Sequence, residues 1–166
     1  MATAVARGAV VGRPRPGWAP QSIGRAATMA LHDELALSPK PGLVTLVDAG
    51  SHDDMDAHTF MRSLFALRGY FVRIADLGAM QAPFEALECC GIEAEQRMLA
   101  ATGGVNTHRG AIFTLGLLCA AAGAATGAGD DPTPEVLILV SVQNETIYPG
   151  PSGQTPKRLA ITSEPG

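Results

Sequence analysis

Three short blocks hold most of the residues whose types and spacing could do chemistry. The first, Ser38-Pro39-Lys40-Pro41-Gly42-Leu43-Val44, sets one lysine between two prolines. Proline fixes φ, so the Lys40 ammonium is offered from a stiff loop and suits a phosphate as a point charge. The same pattern also reads as a helix stop with an exposed lysine.

The second block is Gly50-Ser51-His52-Asp53-Asp54-Met55-Asp56, with His58 close behind. Carboxylates and imidazoles at this density could hold a divalent ion. Magnesium prefers oxygen ligands, keeps several waters and is shared with substrate phosphates. The competing reading is an acidic N-terminal cap on the following helix, with Asp53 the first candidate for that role.

The third block is Thr102-Gly103-Gly104-Val105-Asn106-Thr107-His108-Arg109-Gly110. Glycines allow backbone to approach a ligand closely, and a helix start offers free N–H groups and the positive end of its dipole. Asn106, Thr107, His108 and Arg109 add side-chain donors there. An ordinary inter-helix turn with a Thr or Asn cap is the plainer alternative. Arg62 follows the acidic block by about a turn and a half of helix and could point back toward it.

Helices must position these blocks. Apolar stripes at helical spacing predict helices over Gln21–Leu37, Asp56–Arg68, Tyr70–Ala79, Pro83–Cys90, Ile92–Ala101 and Thr107–Ala122, with a break at Gly91. No βαβ alternation occurs, so the fold class is all-α: a multi-helix domain with a non-helical C-terminal tail. Residues 1–20 read as a flexible lead and 21–122 as the helical domain. Residues 123–166 read as a linker and irregular tail, in which 135–142 is a solitary strand-like run.

Composition bounds the function. The chain is 46% hydrophobic and only 5% aromatic, which suits closely packed helices of Leu, Ala and Met. A formal net charge of −4 excludes a broad basic surface for nucleic acid, so no nucleic-acid partner is expected. Cys89, Cys90 and Cys119 form neither a disulfide framework nor a zinc pattern. They are expected to be small buried hydrophobes in a reducing, cytoplasmic setting. The most apolar stretch, Ala111–Ala125, is interrupted by Thr114, Gly116 and Gly123, and no membrane partner is expected.

The three blocks, in this order and with Glu95 and Met98 between the second and third, resemble the signatures of triphosphoribosyl-dephospho-coenzyme A synthases. The likeness runs from about Gln21 to Ala122. The resemblance implies a transferase that moves triphosphoribose from ATP to 3′-dephospho-coenzyme A and releases adenine. Its product would be the prosthetic-group precursor of citrate lyase or malonate decarboxylase.

The resemblance locates the pocket, and the chemistry of the residues found there suggests a role for each. His52, Asp54 and Asp56 would be catalytic. Lys40, Arg62, Asn106, Thr107, His108 and Arg109 would bind substrate phosphates or ribose, and Mg²⁺ would be held by Asp54, Asp56 and Glu95. An acid is expected in relatives where Thr45 stands here. Further helices are expected beyond the last matched one, so the chain reads as an incomplete version of the family domain. Two other functions are compatible with the same residues. One is a metal-dependent phosphohydrolase built on the His52-Asp53 pair; the other is a helical fragment without catalysis.

Overall fold

The computed structural model describes residues 18–138. Four helices follow one another: α1 (Pro20–Ala36), α2 (Ala57–Ala79), α3 (Phe84–Thr102) and α4 (Arg109–Ala128). A further helical segment occupies 134–138, and the described residues contain no strand. The all-α expectation holds. The strand-like run expected from 135 is helical as far as 138, and its remainder lies outside the described residues, as does most of the expected lead.

Fewer, longer helices form than the sequence spacing predicts. Asp56–Arg68 and Tyr70–Ala79 are one helix, and α3 runs unbroken through Gly91. A helical glycine costs about 1 kcal/mol against alanine, which a packed face overrides. Fully buried Leu67 and Phe71 on either side of Gly69, and Cys90 and Ala94 on either side of Gly91, supply that packing.

α2 is the centre of the bundle and packs against all three other helices. Its buried stripe, Leu64, Leu67, Tyr70, Phe71, Ile74 and Ala75, repeats at helical spacing. Tyr70, 2% exposed, donates its hydroxyl to the Ile112 carbonyl at 2.7 Å and so satisfies a buried polar group. Burial and the nearby Cys90 and Cys119 thiols push the Tyr70 phenol well above its ordinary range. Burial likewise pushes the Cys119 thiol up to about 12. Cys90 and Cys119 are the small buried hydrophobes expected, whereas Cys89 is exposed on α3.

The seam between α2 and α4 is made of small residues. A Cβ on Gly78 would collide with the Ala120 carbonyl, and one on Gly123 with the Ala75 carbonyl. Backbone therefore lies directly on backbone. This explains why 123–128, read from its glycines as linker, continues α4 instead. Those glycines are contact points between helices. α4 is consequently longer than expected, and by length and composition it is apolar enough to cross a membrane. Half of that stretch is buried inside the bundle, against α2.

Candidate functional site

Four helix ends meet around His108, at the start of α4: it contacts Phe60 and Ser63 near the start of α2 and Met98 near the end of α3, and Glu34 near the end of α1 lies close enough to act on its ring. The loops joining them, 37–56 and 103–108, contain the three polar blocks.

The first two blocks form one closed loop. Gly50 takes φ +62°, and a Cβ there would sit 2.7 Å from the Gly42 carbonyl, so only glycine fits. The Ser51 amide donates to the Gly42 carbonyl at 3.2 Å. Buried Thr45 folds the loop tip. Its hydroxyl accepts from the Asp48 amide at 3.0 Å, and its own amide donates to the Asp48 carbonyl at 2.7 Å. Where an acid was expected in relatives, this chain has a turn-forming hydroxyl.

Lys40 is not the free phosphate contact expected. Its ammonium donates to the Glu34 carbonyl at 2.6 Å and to the Glu34 carboxylate at 2.7 Å, with only 13% of the side chain exposed. A cation at the C-terminal end of α1 satisfies an orphan carbonyl and complements the dipole. Two of its three donors are thereby occupied.

In the acidic block, Asp56 rather than Asp53 is the N-cap. Its carboxylate accepts from the Thr59 amide and the Thr59 hydroxyl, both at 2.8 Å. These bonds hold its carboxyl below the usual carboxylate range. The His52 Nδ1 lies 3.9 Å from an Asp54 oxygen, and both side chains are substantially exposed. Arg62 is exposed and has no ion-pair partner among the described residues.

The third block builds a tight turn. Gly103 is the C-cap of α3 with φ 69°, and Gly104 follows with φ 93°. The turn geometry alone requires both glycines. The Asn106 side-chain oxygen accepts from the Arg109 amide at 3.1 Å and so satisfies the first free N–H of α4, whose N-cap residue is His108. The Thr107 hydroxyl oxygen is buried and has no hydrogen-bond partner. Arg109 donates through Nε to Glu95 at 2.6 Å and pairs with it through a second nitrogen.

His108 is the best-held of these residues, 6% exposed. Its Nδ1 lies 2.6 Å from the Ser63 hydroxyl, and its amide donates to the Met98 sulfur at 3.2 Å. Its ring meets Phe60 edge-on at 4.9 Å. Burial lowers its pKa, opposed by the Glu34 carboxylate, so the ring is neutral at pH 7. Glu34 thus links the Lys40 loop to the start of α4. Ser63 is not legible as a site residue in the sequence, because a serine nearly two turns into an apolar helix carries no signal of its partner 45 residues away.

The expected magnesium set is not assembled. Among the described residues no three His, Cys, Asp or Glu side chains group to hold a metal. Glu95 is committed to Arg109 and Asp56 to Thr59, which leaves Asp54 the freest of the three. The phosphohydrolase alternative needs further His and Asp ligands around His52 and Asp53, and it lacks them there for the same reason.

The family model described as ATP:dephospho-CoA triphosphoribosyl transferase matches residues 20–145. A probable 2-(5''-triphosphoribosyl)-3'-dephosphocoenzyme-A synthase of Streptococcus equi subsp. zooepidemicus is 50% identical over 107 residues, 61% of this chain and 36% of the relative. The synthase of Pectobacterium atrosepticum is 40% identical over 139 residues, 80% of this chain and 46% of the relative. The chain therefore spans less than half the length of the curated relatives it matches, from 23% to 46% among eight of them. No solved structure matches it. With the family match covering most of the sequence and all three polar blocks, the chain belongs to the ATP:dephospho-CoA triphosphoribosyl transferase family.

Proposed function

We propose that this chain supplies the nucleotide-gripping end of an enzyme that transfers triphosphoribose from ATP to 3′-dephospho-coenzyme A. The observation that carries this reading is the meeting of the three blocks at one end of the bundle, in a chain that belongs to this family.

In the reaction, a ribose hydroxyl of dephospho-coenzyme A attacks C1′ of the ATP ribose. The new C–O bond forms as the bond from C1′ to the adenine nitrogen breaks. The hydroxyl proton passes to a base, and adenine leaves with the bonding pair and takes up a proton. The sugar carries oxocarbenium-like positive charge as the bond breaks. A nearby carboxylate stabilises that charge, and Asp54, beside His52 and without a structural hydrogen bond among the described residues, is the candidate. His52, with Asp54 beside Nδ1, is the candidate base.

Arg62 and Arg109 are the cations for the triphosphate. Arg109 would exchange its exposed Glu95 partner for phosphate oxygens. Lys40 acts at a distance, by holding Glu34 and the end of α1. Mg²⁺ would arrive on the triphosphate, since the described side chains do not assemble a protein cage for it. Three free cysteines suit a reducing, cytoplasmic setting.

The test is chromatography of the chain incubated with ATP, dephospho-coenzyme A and Mg²⁺, read as free adenine. Adenine release that Asp54→Asn abolishes is the expected result. Full release by Asp54→Asn removes that residue from the mechanism. A MgATP-dependent rise in melting temperature tests binding separately from turnover.

A further inference from the structure

Hydrogen accounting at the Ser63–His108 contact determines more than proximity. Ser63 is fully buried on α2, and its hydroxyl carries a single proton. Thr28, Thr102 and Thr114 each give that proton to the carbonyl four residues earlier. Ser63 makes no such bond; its contact is with His108 Nδ1 at 2.6 Å. If Nδ1 carried the proton and donated, the serine hydroxyl would be a buried donor without an acceptor, a costly arrangement. The hydroxyl must therefore donate and Nδ1 accept. An imidazole with one proton then carries it on Nε2.

The rest of the contact shell holds this geometry. The Phe60 ring edge and the Met98 sulfur fix the ring plane and the backbone. Nε2 has no protein partner among the described residues, yet it is not one of the fully buried atoms left unpaired, so its N–H is open to solvent or to a ligand whereas the serine hydroxyl is not. The charged groups facing this corner are Glu34, on α1, and Lys40, which is already paired with Glu34.

We propose that Ser63 is the positioning residue of His108, locking it as the Nε2–H tautomer so that it meets a bound anion as a hydrogen-bond donor and not as a proton acceptor. This rests on the reading of the helix-end cluster as the nucleotide site. It gives His108 a specificity role: a donor without charge beside the cations. A neutral N–H orients an acceptor oxygen through one directional hydrogen bond and adds no charge to neutralise it.

The test uses the full chain labelled with ¹⁵N at its four histidines. Two-bond proton–nitrogen spectra at pH 7 report which ring nitrogen of each histidine carries the proton. His108 is expected in a single tautomer, protonated on Nε2. A wild-type spectrum with Nδ1 protonated, or with both nitrogens protonated, overturns the proposal even if no variant folds. Ser63→Ala is expected to lose the single-tautomer signature and to weaken ATP binding about tenfold, the worth of one well-placed hydrogen bond. Ser63→Thr, which keeps the hydroxyl, is expected to restore both. A Ser63→Ala spectrum identical to wild type also overturns the assignment. Added ATP is expected to shift Nε2 and leave Nδ1 in place. An unmoved Nε2 in a chain that shows the Nε2–H tautomer supports the tautomer and overturns the nucleotide-site reading alone.

Discussion

The seam between α2 and α4 and the cluster of helix ends are built by opposite means. Along the seam, Gly78, Ala120, Gly123 and Ala75 bring backbone onto backbone, and polar side chains play no part in those contacts. At the helix ends polar side chains make the contacts: Lys40 with Glu34, Asp56 with Thr59, Asn106 with the Arg109 amide and His108 with Ser63. The seam tolerates no added atom. The helix ends instead depend on particular hydrogen bonds, most of them exchangeable with water. One region carries stability and the other carries chemistry, and a substitution should reveal which by what it disturbs.

The largest effect is expected at the seam. Gly123→Leu places a side chain into the Ala75 carbonyl and forces the helices apart. It should cost about 3 kcal/mol or more, read by urea denaturation. Wild-type stability would mean that the seam can open. Met98→Ala comes next, with a loss of about 2–5 kcal/mol from a fully buried site. Because Met98 also receives the His108 amide, this variant should disturb nucleotide binding as well and so joins the two regions.

The pH dependence separates them further. Burial lowers the His108 pKa, so below the ordinary histidine value of 6.5 the unfolded chain binds more protons than the folded one. Stability should be complete above about pH 6.5 and decline as the pH falls below it. His108→Gln should flatten that decline; an unchanged profile would place its origin elsewhere. Asp56 acts lower down. Its folded pKa lies below 3.8, so its capping contribution is present above that value and is lost as the pH falls through it. Asp56→Ala should reduce stability at neutral pH and remove this acid step.

The smallest expected stability effect is at Arg109. Its pairing with Glu95 is surface-exposed, and such pairs contribute about 0–1 kcal/mol. Arg109→Ala should leave the melting temperature nearly unchanged and weaken ATP binding. Equal losses in both would make Arg109 a structural residue.

Much of this was legible in the residues. Helical periodicity named the class, and the three blocks marked the loops that meet. Helix boundaries were not legible at Gly69, Gly91 and Gly123, where local propensity predicts a break and burial overrides it. Individual roles at the site were less legible still. Asp53 was favoured as cap where Asp56 serves, and Lys40 and Glu95 were assigned to ligands although each has a protein partner.

What the sequence by itself determined is what depends on neighbours along the chain: amphipathic stripes, proline stops and polar clusters at helix starts. Tertiary structure alone decided which long-range partner each polar group took. Ser63 and His108 are 45 residues apart, and Glu95 and Arg109 are 14 apart. A side chain's charge state, tautomer and availability depend on the group packed against it, and only the folded chain sets which group that is.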